Sequence, residues 1–227
     1  KRAVVVGGGY IGLEMAEQFK ERGLEVSVAE MLPQVMSPLD PEMAAWLHNE
    51  MESQGVDLHL NNGVSSFDDP EEGAKTSTVV LQNGKRLPAD VVVMGLGVRP
   101  EVWLAKEAGL HLGELGGIDV DEHLRTSDPA IYAVGDAVEV KFLPTGEKAL
   151  LPLAGPANRQ GRTAADNIFG MSSTFDGVIG TAVLRLFDLT AACTGANEKV
   201  LKKAGVPYEA IHLHPPSHAG YYPGAQP

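Results

Sequence analysis

The sequence holds a single cysteine, Cys193, so no disulfide can close within the chain. No secretory signal stands ahead of the first strand, and the two features together predict a reducing, cytoplasmic setting. Basic residues are scarce as well: 18 Lys and Arg face 30 Asp and Glu, a net charge of −12. Nucleic acid and anionic membrane surfaces repel such a chain and are excluded as its main partners. No apolar run approaches the roughly 20 residues of a membrane span. The seven histidines give little. His212 and His214 would share a strand face, but no further ligand stands at metal spacing, so no metal is expected. His218 reads as a packed or solvated side chain, and Asp68, Asp69, Glu71 and Glu72 as a solvated loop. There is no initiator Met, the first strand opens at Arg2, and the chain ends in turn-forming residues 222–227. Those ends predict a segment of a longer protein.

What is present is ordinary globular material, 227 residues with 44% hydrophobic and 21% charged side chains, enough for one or two domains or pieces of three. Residues 2–6 read as a buried strand, 10–22 as a helix with Ile11, Met15 and Phe19 on one face, and 25–29 as a second strand. Asp40-Pro41-Glu42 is a helix start: a capping carboxylate, Pro at the first helical position, then an acid. That helix runs to about residue 54, stopped by Gly55, and strands follow at 56–60, 76–81 and 85–87, the last two flanking Asn83-Gly84 as a hairpin. Residues 90–94 are continuously apolar after Asp90, as in a parallel strand covered on both faces. The order predicts an α/β fold with a doubly wound parallel sheet. Beyond it, a short helix at 101–108, strands at 118–120 and 131–134, and a helix at about 155–169 are expected. A third region from near Gly177 holds strands around 181–192, a helix at 198–204 and a strand at 210–213.

Between the first strand and helix stands Gly7-x-Gly9-x-x-Gly12. Gly7 permits the tight turn, Gly9 lets backbone approach a pyrophosphate, and Gly12 lets helix and strand pack closely. The helix N-terminus offers unpaired N–H groups and partial positive charge to phosphate. Glu30, at the end of the second strand, is placed to accept from a ribose 2′-hydroxyl and to repel a 2′-phosphate. Met31 follows where a phosphate site would favour Arg, so NAD(H) is expected over NADP(H).

A second motif runs from Thr126 to Asp136 and ends an apolar stretch in Gly135-Asp136, a carboxylate at the carboxyl end of a strand. The two motifs together resemble the two-dinucleotide flavoproteins of the pyridine nucleotide–disulfide oxidoreductase family. The resemblance extends through Gly7-Gly8-Gly9-Tyr10-Ile11-Gly12-Leu13-Glu14 and Gly95-Leu96-Gly97-Val98-Arg99-Pro100. It implies that Tyr10, Ile11, Glu14 and Gly97 belong to the NAD side, with Glu14 by the nicotinamide, and that Gly135 and Asp136 hold FAD, Asp136 on the ribityl chain. The stretches 151–162, 187–198 and 217–224 look like the group of coenzyme A-disulfide reductases, NADH oxidases, NADH peroxidases and persulfide reductases. From that group, backbone at Leu153 and Ala154 is expected by the flavin ring, Asn158 by the coenzyme A path, and Tyr221 or Tyr222 at the active-site sulfur of a homodimer partner.

The resemblance divides the chain into an NAD(H)-binding domain (1–110), the second segment of an FAD-binding domain (111–172) and the N-terminal part of an α+β dimerisation domain (173–227). It also marks what is not here: the redox cysteine and the first FAD glycine motif. Cys193 reads as a packed residue, not as the nucleophile. The expected function is a segment of an NADH-dependent disulfide or persulfide reductase, with the cysteine outside the chain. The alternatives are an NADH oxidase or peroxidase on the same scaffold, a non-catalytic NAD-binding module, and an electron-transfer reductase serving a ferredoxin-like protein.

Overall fold

A computed structural model of the chain describes residues 1–70, 76–216 and 218–224; Glu71, Glu72 and Ser217 lie outside the described residues. In chain order, β1 (Arg2–Val6), α1 (Tyr10–Glu21), β2 (Glu25–Ala29), α2 (Pro41–Ser53) and β3 (Val56–His59) build three of the four strands of a parallel sheet and the two helices on it. β4 (Val64–Asp68), β5 (Ser77–Leu81) and β6 (Arg86–Ala89) then form an antiparallel sheet, and β7 (Val91–Met94) returns to the first. The parallel order is β3-β2-β1-β7.

The valine run of β1 explains this layering. Ala3 and Val5 face Leu13, Ala16, Leu47 and Met51 of the two helices, while Val4 and Val6 face Val79, Leu81, Leu87 and Ala89 of the antiparallel sheet. A strand buried on both faces has no polar alternation to keep. Each fully buried Val contributes roughly 1.5–3 kcal/mol through its apolar area. The sheet also corrects two expectations. β7 is an edge strand with Val91 36% and Met94 54% exposed, so its apolar run is not covered on both faces. On α1 the buried stripe is Gly12, Leu13 and Ala16, with Met15 and Phe19 packed beside it, whereas Ile11 is 56% exposed. The spacing of Ile11 matched a core face, but the glycine turn sets where that face points.

The second region comprises α3 (Trp103–Glu107), β8 (Val140–Lys141), β9 (Lys148–Ala149) and α4 (Ala154–Ile168); its core is Leu124, Val138, Val140, Ala164, Phe175 and Val178, to which α3 contributes no residue. The strands expected at 118–120 and 131–134 are only isolated bridges. Ile118 pairs with Leu112 and Val138, and Tyr132 with Arg125. Backbone groups there close turns instead, as in Thr126 N–H to the Ile131 carbonyl at 2.9 Å. Buried Glu139 accepts from the N–H of Leu115 (2.7 Å) and Gly117 (3.1 Å), fixing the turn at 113–117.

The third region is a hairpin, β10 (Ala182–Leu186) and β11 (Leu189–Cys193), followed by α5 (Glu198–Ala204). Leu184 and Leu186 enter the core formed by α1 and α2, and Cys193 packs at its margin as the sequence predicts. Asn197 caps α5 by accepting from Val200 N–H at 2.8 Å, and Gly205 ends it in the left-handed region at φ +67°. The strand expected at 210–213 is absent; Ile211 and Leu213 are exposed there, with no apolar surface to hold a strand face. No helix among the described residues is long and apolar enough to cross a membrane.

Candidate functional site

The glycines of the first motif separate into two kinds. A Cβ on Gly7 (φ +104°) would overlap the Gly95 carbonyl oxygen, and one on Gly12 would overlap the Gly7 carbonyl oxygen. These two close β1, α1 and the end of β7 against one another. Gly9 differs, because a Cβ there would meet nothing within 4 Å. It occupies the N-cap position of α1 without a capping side chain, and its carbonyl accepts from Leu13 N–H at 3.0 Å. The first-turn N–H groups of α1 therefore open outward, the arrangement that takes an anion.

That helix head opens into a cleft of about 530 Å³, lined among others by Gly7, Gly9, Glu30, Met31, Phe67 and Gly97. The Glu30 carboxylate is fixed at both oxygens. Oε2 accepts from Gly8 N–H at 2.6 Å and Oε1 from Leu32 N–H at 2.8 Å. Two of the roughly four acceptor positions of a carboxylate remain for a ligand. The sequence missed β4, whose residues Val64, Ser65 and Phe67 form a wall of this cleft. The apolar ends of Val64-Ser-Ser-Phe67 were its only signal.

Not every expected NAD residue reaches this cleft. Ile11 and Glu14 are exposed on α1 but are not among its lining. Tyr10 packs its ring on the core beside Cys193. Burial, and then the adjacent Cys193, pushes the Tyr10 phenol up to about 12, so it stays neutral.

The second motif lies against α4, whose head is also open. Gly135 sits at φ +87° and donates its N–H to Gln160 Oε1 at 2.6 Å. Gln160 is 2% exposed and holds the Gly135-Asp136 turn against α4; it was not singled out in the sequence. Its signal was a stripe, since Gln160, Ala164 and Asn167 form the buried line of α4. Leu153 occupies the N-cap position without a capping bond, and Ala154 and Asp136 are exposed at this head. This open carboxylate and helix N-terminus suit the hydroxyl-rich, phosphate-bearing part of a flavin nucleotide. Asn158 is exposed on the same helix. Tyr221 and Tyr222 are 82% and 57% exposed and stack on each other at 4.7 Å.

His212 is the further correction. Its Nε2 lies 3.2 Å from Glu42 Oε1, and a Glu198 carboxylate oxygen lies in the same group, all three ligand atoms within 4.8 Å of one another. The spacing of histidines could not show this, because the acids come from the heads of α2 and α5. Glu198 already accepts from the Tyr208 hydroxyl and from Lys202 Nζ. The Tyr208 hydrogen bond, then the Lys202 bond, holds its carboxyl below the usual range. The cluster is thus internally satisfied by a cation that would oppose a metal ion.

With this geometry in place, residues 1–165 match the family model described as pyridine nucleotide-disulphide oxidoreductase. The chain is similar to an NADH oxidase of Methanocaldococcus jannaschii, with 40% identity over 227 residues, 100% of this chain and 50% of that protein. It is also similar to the reduced Bacillus anthracis CoADR-RHD structure, with 49% identity and TM-score 0.92, covering 99% of this chain and 40% of that one. A NAD-dependent persulfide reductase from A. fulgidus superposes with TM-score 0.94 at 44% identity, covering 100% of this chain and 41% of that one. The chain spans about half the length of the curated relatives it matches.

Proposed function

This chain belongs to the pyridine nucleotide-disulphide oxidoreductase family, and we propose that it forms the NAD(H)-binding domain, half of the flavin site and part of the dimer interface of an NADH-dependent disulfide reductase. The substrate class is coenzyme A disulfide or a persulfide. The observation that carries the reading is the cleft at the head of α1, where open N–H groups and a fixed Glu30 carboxylate stand together. Those N–H groups would bind the pyrophosphate, and Glu30 would bind the adenosine ribose. Gly135, Asp136 and the head of α4 would hold the flavin, which when bound supplies the hydride acceptor that passes electrons to sulfur. Cys193 packs beside Tyr10 and serves the core; the redox cysteine belongs to sequence outside this chain. Domain limits of 1–110, 111–172 and 173–227 follow this division of labour, although Leu184 and Leu186 share the first core. The working protein is a cytoplasmic homodimer, with the exposed pair Tyr221 and Tyr222 offered to the partner subunit.

The test is to supply the flavin-loaded protein with NADH and coenzyme A disulfide and to count thiols. Two thiols released per NADH consumed support the reductase. The 40% identical NADH oxidase favours a second reading, in which oxygen or peroxide is the acceptor. NADH consumed at the same rate without disulfide, with oxygen uptake, would establish that one instead.

A further inference from the structure

The head of α5 bonds to a loop that runs behind the cleft. Between Glu30 and α2 the chain makes a loop, residues 31–40, whose inner face is buried at Gln34, Val35, Met36 and Leu39. This loop grips the glycine turn. Met36 N–H donates to the Gly8 carbonyl at 2.8 Å, while Gly8 N–H donates to Glu30 Oε2 at 2.6 Å. Val35 fills the space left by the missing Gly8 Cβ, which would stand 2.8 Å from Val35 Cγ1. Both polar groups of Gly8 are therefore held by residues 30–36. Met36 sits at φ +49°, a left-handed conformation that a side chain keeps only when its surroundings impose it.

The head of α5 ties the rest of this loop. Asn197 Nδ2 donates to the Pro38 carbonyl at 2.9 Å, and Glu198 N–H donates to both Asp40 carboxylate oxygens at 3.1 Å. Asp40 thereby caps the first turn of α5 and makes no side-chain cap bond on α2, the helix it precedes. Lys199 reaches deepest, with Nζ donating to the Leu39 carbonyl at 2.6 Å and to Gln34 Oε1 at 3.1 Å. The Gln34 side chain is 93% buried, and its Nε2 returns to the Leu39 carbonyl at 2.9 Å. Without Lys199, a buried amide oxygen loses its donor and the loop loses its charged tie.

We propose that Lys199 is a positioning residue for NAD(H): by tying loop 31–40 to α5 it holds Gly8 and Glu30 in the geometry that takes the adenosine half of the dinucleotide. This rests on the assignment of the cleft to NAD(H) and adds a coupling to it. Docking of the interface region sets dinucleotide affinity, although no residue of α5 lines the cleft. The coupling passes through a contiguous hydrogen-bond network.

The experiment compares wild type, Lys199→Met, Lys199→Arg and Lys203→Met in the flavin-loaded protein, titrating ADP-ribose and NADH. Lys199→Met should raise both dissociation constants about five- to tenfold, the scale such networks transmit. Flavin content and kcat at saturating NADH should stay at the wild-type level. Lys199→Arg, which keeps charge and donors, should restore most of the affinity. Lys203→Met removes the same charge from the same helix without a bond to the loop, and should bind as wild type. Asn197→Asp keeps the cap on Val200 but loses the donor to Pro38, and should weaken both ligands in the same direction. Unchanged affinity in Lys199→Met and Asn197→Asp would overturn the proposal, as would equal weakening by Lys203→Met. If wild type binds neither ADP-ribose nor NADH, the assignment of the cleft itself fails and the inference falls with it.

Discussion

Glu30→Ala is the perturbation that most directly tests the dinucleotide site. The carboxylate accepts two backbone N–H groups, from Gly8 at 2.6 Å and Leu32 at 2.8 Å. Both are short, charge-assisted contacts, and Glu30 itself is half-buried. Water can enter the vacated space and satisfy part of the loss, so the structural cost should be about 1–2 kcal/mol, seen as a lower urea midpoint with an unchanged slope. The functional cost falls on selectivity. NADH loses a charged hydrogen bond to its ribose, worth on the order of 1–3 kcal/mol, while NADPH is relieved of a repelling charge. The ratio of the two dissociation constants should therefore narrow by about five- to a hundredfold. Fluorescence titration with each dinucleotide, alongside urea unfolding of the same samples, separates the effects. A mutant that loses stability but keeps the wild-type ratio would refute the ribose role and leave Glu30 as a loop fastener only. A mutant unchanged in both would refute the hydrogen-bond pattern.

The two kinds of glycine should part company under the same substitution. Gly9→Ala should cost under about 1 kcal/mol of stability yet weaken NADH binding at least tenfold, because its Cβ enters the open cradle; Gly12→Ala should cost about 1–3 kcal/mol or more through overpacking against Gly7. Thermal unfolding with NADH titration checks both, and equal stability of the two variants would sink the distinction. Gln160→Ala strands the N–H of Gly135 and should release flavin on gel filtration at a stability cost of about 1–3 kcal/mol. Full flavin retention would contradict that role. His48 accepts the Val35 N–H at 3.2 Å through Nε2, which requires a neutral ring, and burial pushes its pKa below 6.5 against the opposing pull of Glu52. The unfolded chain then takes up the proton first. The contribution is complete above pH 6.5 and fades as pH falls, so the urea midpoint should drop below that pH more steeply in wild type than in His48→Gln. Parallel curves would refute it.

Features that short segments impose on themselves could be read from the sequence, and features that need a distant partner could not. Gly7, Gly9 and Gly12 declare their purpose because a tight turn and a close helix–strand approach restrict residue type within six positions. Glu30 is legible for the same reason: it stands one residue past β2, and strand length alone places it at the cleft. Residues 131–134 are the opposite case. Their β-branched, apolar composition is that of a strand, but a strand exists only through its neighbours, and here a single bridge from Tyr132 to Arg125 is what it finds. Its Ile131 and Val134 consequently remain partly exposed.

The same division runs through the polar side chains. Asp40 reads correctly as a helix-start residue, yet its carboxylate serves the N–H of Glu198, 158 residues away. Lys199 looks like any surface lysine in a short helix, and Gln160 like any polar residue in an alanine-rich one. Each becomes informative only when the partner is known: a buried amide oxygen for Lys199, a left-handed glycine N–H for Gln160. Local constraint therefore marks the groups that would touch the ligand, and tertiary constraint marks those that hold them still. The two sets differ in how they fail. Loss of Glu30 removes the selecting contact and relieves NADPH, whereas loss of Lys199 slackens Gly8 and Glu30 together and weakens NADPH as well as NADH, so the NADPH affinity distinguishes a contact from its support.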